Sequence, residues 1–181
     1  MKTKNYLLLP VLAIAAAFSS CEKDTNTVTN PAPANEEELI TTVRLVVFDG
    51  TDSLAFEFKD LDGEGGNSGS IDTIVLSSSN TYLYSVEFLD ESRNPVVDIT
   101  EEILEEGDEH LVCYNSTNGL DISRGDLDEN NLPIGTVGTL ITNNAGNGTL
   151  TITLKHQPGV KNGQCEPGET DIEVVFPVRV Q

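Results

Sequence analysis

Apolar and polar residues alternate along most of this chain. Val43, Leu45 and Val47 share one face against Thr42 and Arg44; Leu54, Phe56 and Phe58 repeat the pattern against Glu57 and Lys59; Tyr82, Tyr84, Val86 and Phe88 carry it a third time. A period of two is the signature of an extended strand with one buried face. The clearest examples come late. Leu150, Ile152 and Leu154 alternate with Thr149, Thr151 and Thr153, and Ile172, Val174, Phe176, Val178 and Val180 alternate around Glu173 and Arg179. Shorter candidates lie at 71–76, 111–114, 120–123 and 136–142, each bounded by Gly, Asn, Asp or Pro.

The breaks in the pattern suggest how the strands are joined. Asp49-Gly50-Thr51-Asp52 predicts a hairpin, and Asn143-Asn144-Ala145-Gly146-Asn147-Gly148 predicts another. Pro177 has no N–H to give a ladder, which places the last strand at a sheet edge or a bulge. Between Asp98 and Gly107 the period changes: Ile99 and Ile103 are four apart, Asp98 and Glu101 are spaced as a capping box, and Gly107 is placed to stop the helix. This predicts two helical turns crossing between sheets, with acidic residues suited to the positive end of the dipole. About eight or nine short strands around one helix define an all-β fold, an antiparallel β-sandwich of the immunoglobulin-like or a related kind.

A different pattern precedes the first strand. Lys2 and Lys4 lead into an apolar run from Leu7 to Ala17, which ends in Phe18-Ser19-Ser20-Cys21. The run is too short for a finished transmembrane helix, and its parts are those of a secretory signal. Its ending resembles the lipobox of bacterial lipoproteins, which implies that Cys21 is acylated and becomes the first mature residue. The expected organisation is a signal peptide at 1–20, a lipidated cysteine and flexible tether at 21–36, and the β-sandwich domain at 37–181. A domain of roughly 145 residues buries about two thirds of its unfolded surface without a metal or disulfide staple.

Ten Lys and Arg stand against 30 Asp and Glu, a formal charge of −20. That balance excludes nucleic acid and anionic head groups as natural partners. It suits a solvated acidic surface, a collector of divalent cations, or a protein that meets a basic partner. Cys113 and Cys165 remain once Cys21 is lipidated. An oxidising compartment permits them to pair, although Cys113 in its apolar run equally suits a buried thiol.

Two acidic loops are candidates for calcium. Asp60, Asp62 and Glu64 put oxygen ligands at alternate positions of a glycine-rich loop, and Asp126, Asp128 and Asn130 repeat the spacing. The first loop lacks the terminal bidentate Glu of an EF-hand and leads into a strand; self-bonding Asx turns explain both sets as well. His110 and His156 each border a strand and, with Glu109, Cys113 and Cys165, are candidate ligands for a transition metal or a haem iron. Their other reading is that of hydrogen-bonded residues at strand ends. G-x-S-x-G, H-E-x-x-H, a P-loop and a post-strand G-x-G-x-x-G are all missing from the sequence, so no catalytic residues are expected.

Cys21 followed by Glu22-Lys23-Asp24 is similar to the export signal of surface lipoproteins in Bacteroidota. The stretches Asn35 to Val43, Asp98 to Ile103, Glu105 to His110, Leu154 to Gly159 and Gly168 to Ile172 resemble a family of small flavobacterial lipoproteins labelled as a type 1 periplasmic binding fold superfamily. That label implies two α/β lobes, whereas this chain has no βαβ rhythm, so the all-β expectation stands. The resemblance implies an outer-membrane lipoprotein, facing the periplasm or the surface, that accompanies a TonB-dependent transporter; it carries over no ligand residue. The expected function is a non-catalytic, lipid-anchored binding or accessory module, with a calcium, transition-metal or haem carrier as the alternative.

Overall fold

A computed structural model describes residues 39–63, 66, 68–117 and 119–181. The signal peptide, Cys21, the tether and Glu64 lie outside the described residues. In chain order the elements are β1 (Thr42–Phe48), β2 (Ser53–Lys59), β3 (Ser70–Ile71), β4 (Ile74–Leu76), β5 (Thr81–Asp90), β6 (Val97–Asp98), α1 (Ile99–Glu105), β7 (His110–Ser116), β8 (Leu120–Arg124), β9 (Val137–Thr142), β10 (Gly146–His156) and β11 (Glu169–Val180). They form a two-sheet, all-β sandwich. The larger sheet has the order β3-β2-β1-β5-β9-β8 with β6 beside β5, and the smaller has the order β4-β11-β10-β7. Among the described pairings only β4 with β11 is parallel.

The alternation read from the sequence is for the most part the alternation of the core, except that Leu54 at the start of β2 is 47% exposed and Phe58 and Ile172 are only partly buried. Val43, Leu45, Val47, Phe56, Tyr82, Tyr84, Val86, Phe88 and Leu140 face inward from the larger sheet. They meet Ile74, Leu76, Val112, Leu150, Ile152, Leu154, Val174, Phe176, Val178 and Val180 of the smaller sheet in one buried cluster. On the outer side of the larger sheet, Arg44 stands opposite both Glu57 and Glu87 in register and pairs with each. Such half-exposed pairs align strands more than they stabilise them.

Helix α1 links the sheets as expected. The Asp98 carboxylate accepts from Thr100 N, and Ile99 and Ile103 are buried. Thr100 turns its hydroxyl back to the β5 backbone, accepting from Phe88 N at 2.9 Å. The predicted stop at Gly107 has a different cause. Glu106 is the C-cap, and Gly107 is not among the described residues with positive φ. What it supplies is room, since a Cβ there would sit 2.8 Å from Ile134 Cδ1.

Two connections depart from the sequence pattern. Asp49 to Asp52 does turn a hairpin, its Asp49 carboxylate accepting from Thr51 N and Asp52 N. Residues 143–148 do not, because β9 belongs to the larger sheet and β10 to the smaller. The segment read as one strand at 71–76 is divided: Ser70–Ile71 joins β2, and Ile74–Leu76 joins β11. Pro177 pairs with Thr149 of β10, one residue before β4 joins on the opposite side of β11, so β11 is an edge at that point.

Candidate functional site

The connection from β10 to β11, residues 157–168, is far longer than the hairpin needs, and it is tied down at every stage. Gln157 is fully buried. Its backbone N–H donates to Glu109 O at 2.6 Å, and its side-chain amide donates to Gln164 O at 2.9 Å and Pro167 O at 2.7 Å. Lys161 sends its ammonium inward, donating to Gly107 O at 2.6 Å and to Asp128 Oδ2 at 2.7 Å, with side-chain exposures of only 2% and 1% for the pair. Burial pushes the Asp128 carboxyl up, but Lys161 and the N–H groups of Leu132 and Asn130 outweigh it and hold the pKa below its usual value. Cys165 is bonded to Cys113 of β7, 52 positions earlier in the chain, with Cα atoms 6.0 Å apart. Lys155 closes the far end by donating to Gly168 O and Thr170 Oγ1.

The alternation explains what this strap does. Val112 and Tyr114 face the core, so Leu111, Cys113 and Asn115 face outward, across from Lys155, Thr153 and Thr151 of β10. Leu111 is nevertheless completely buried. A buried residue on an outer sheet face needs a cover, and two residues along the same face Cys113 is bonded to Cys165 of the strap. Beside that bond the strap walls a recess of about 390 Å³ on the sheet, lined by the disulfide and by Asn115, Thr151, Thr153, Lys155, Thr170 and Glu173. The volume lies within the usual range for ligand sites, although the lining is more polar than most.

The described residues expected to hold a metal make their contacts within the chain. Asp60 accepts from Gly63 N at 3.1 Å, while Asp62 lies so near Gly66 that a Cβ there would meet its carboxylate. Asp126 accepts from Gly135 N, Thr136 N and the Thr136 hydroxyl. It thereby fixes a segment whose carbonyls reach both sheets, Ile134 O to Val112 N of β7 and Thr136 O to Val86 N of β5. Asp128 faces Lys161, and Asn130 is exposed, giving its N–H to Asp128. The loop that looked like a calcium site in sequence is thus organised around an ammonium of the chain itself.

His110 and His156 do come together. They are register partners on β7 and β10, stacked with ring centroids 4.8 Å apart and 9° between planes. His110 is buried, with Nδ1 3.2 Å from Glu106 O, and His156 Nε2 is 3.5 Å from Glu109 Oε2. Burial first, then the neighbouring His156 and Lys161, hold the His110 pKa below its usual value, against the Glu106 carbonyl and Glu109. Stacked rings direct their in-plane lone pairs side by side, not toward one ion, and both cysteines are committed to the disulfide. Among the described residues no three His, Cys, Asp or Glu side chains are arranged to hold a metal.

Gln157 and Lys161 were not visible as site residues in the sequence. A glutamine and a lysine in a Gly- and Pro-rich loop read as solvent-facing, and the one hint was a cysteine in the same loop. The fold and this site together define an all-β sandwich with a disulfide-fastened strap over one outer face. No family model matches the chain, and no curated protein or solved structure proved similar to it.

Proposed function

We propose that this is a non-catalytic, lipid-anchored envelope protein, held to the outer membrane through Cys21 and serving as a binding or accessory module beside a transporter. The observation that supports a binding role is the strap. A disulfide, a buried ion pair and a buried glutamine all hold residues 157–168 over a sheet face whose central strand is already satisfied on both edges. Fixing a loop costs conformational entropy, and a loop fixed this firmly presents its recess with little left to order on binding. The lipobox pattern and the acidic charge support the address: an anchor at Cys21 gives attachment, and a solvated acidic body resists adsorption to anionic head groups.

Affinity recovery from detergent-solubilised native membranes tests this, with Cys21→Ser as the unlipidated control. The expected result is an acylated first residue by mass spectrometry and a transporter recovered reproducibly with the wild type. An intact leader or an unmodified sulfur at position 21 would overturn the anchorage, and recovery of the protein alone would overturn the accessory role.

A further inference from the structure

We infer that the strap-walled recess on β7, β10 and β11 binds a neutral, polyhydroxylated ligand, a saccharide unit, through Asn115, Thr151, Lys155 and Glu173. This deepens the binding role proposed above and rests on it.

The lining excludes the other classes in turn. Lys155 and Glu173 cancel, so the recess has no net charge of its own. An anion would meet Glu173 and the field of a chain carrying −20, while a cation would meet Lys155. An apolar ligand would strip water from a mostly polar floor without replacing its hydrogen bonds. A neutral polyol has none of these difficulties, because each of its hydroxyls both donates and accepts.

The bonding capacity left in the recess has that mixed character. Lys155 spends two N–H groups on Gly168 O and Thr170 Oγ1, and an ammonium has three. Glu173 accepts from the Thr153 hydroxyl with Oε2, leaving Oε1 available on an exposed side chain. Asn115 offers an amide donor and acceptor from β7, directly opposite Thr151 on β10. Donors and acceptors therefore stand about 4.8 Å apart across the strands and about 6.7 Å apart along them, the scale of one sugar ring. Val175, opposite Thr151 on the other side and 49% exposed, lies outside the recess lining but beside Thr151, an apolar neighbour for a ring that extends past it. The disulfide and the Lys155 clamp keep the wall in place before any ligand arrives.

The test is binding of the full mature chain in detergent to an array of neutral oligosaccharides, with uronate-containing glycans and a neutral peptide as comparison probes. Wild type should retain neutral saccharides in preference to both. Asn115→Ala and Glu173→Gln, which leave every strap contact intact, should each weaken that binding about ten- to a hundredfold, with the thermal midpoint unchanged. Leu83→Ser, on the outer face of the opposite sheet, should bind as wild type. Retention of no neutral glycan, preference for acidic glycans or peptide, or indifference to the Asn115 and Glu173 changes would each overturn the assignment. Wild type that recovers the transporter from membranes yet retains no neutral glycan would leave the envelope role standing while the saccharide assignment fails.

Discussion

A lysine ammonium with a side-chain exposure of 2% is tolerable only because a carboxylate and a carbonyl meet it. Removing it leaves Asp128 buried and charged without its partner. Lys161→Met should therefore lower unfolding free energy by about 3–5 kcal/mol in urea titrations. The double variant Lys161→Met, Asp128→Leu should recover most of that loss, since neither charge then needs company. Asp126 presents a similar case without a cation: Asp126→Ala strands two N–H groups and a hydroxyl, a loss of about 2–4 kcal/mol by the same measurement. Neither role was legible in the sequence. Alternating acidic residues look the same whether they surround calcium, backbone N–H groups or a lysine arriving from some thirty positions away. What sequence did convey correctly was the Asx chemistry, visible at Asp128, which accepts from the N–H two residues on.

At the level of elements, the His110 and His156 pair joins the ends of β7 and β10 directly beneath the start of the strap. The His110 pKa is depressed on folding, so the unfolded chain binds its proton more readily, and stability rises with pH in that window. The contribution is complete above the ordinary histidine value near 6.5 and is lost as pH falls through the lower folded value. The groups that face it are Glu109, Lys161, His156 and the Glu106 carbonyl. Glu106 itself is shifted upward, chiefly by burial and then by Glu102 and Glu109, and so acts in the opposite direction closer to its own range. Thermal midpoints from pH 7.5 down to 5 should fall for wild type and fall less for His110→Gln; equal slopes would show that the histidine is not the titrating group. The cap at α1 is a smaller effect, with Asp98→Ala costing about 1 kcal/mol. Strand identity was readable because a period of two is local. Sheet membership was not, as 143–148 shows: its Asn and Gly residues dictate a turn, but long-range pairing decides that the next strand crosses to the other sheet.

For the whole molecule, the disulfide is the one covalent tie between distant parts of the described fold. Closing a loop of 52 residues is worth about 4 kcal/mol on a chain-entropy basis. Cys113→Ser with Cys165→Ser should lose about that much stability, and reductant should narrow the gap between wild type and variant to nothing. The acidic loops bear on the molecule as a whole too. With the Asp126 and Asp128 carboxylates already bonded within the chain, calcium and chelator should leave the thermal midpoint unmoved, because only a ligand that favours the native state can raise it. A calcium-dependent rise would restore the carrier reading and show that Lys161 can be displaced.

Three strands, β8, β9 and β10, separate the two sulfurs along the chain. Cys113 consequently has no correct mate until synthesis has passed the strap, and a chain halted earlier carries it as a lone, reactive thiol. Trapping that thiol with an alkylating reagent at successive times during refolding would act as a clock for when the strap arrives.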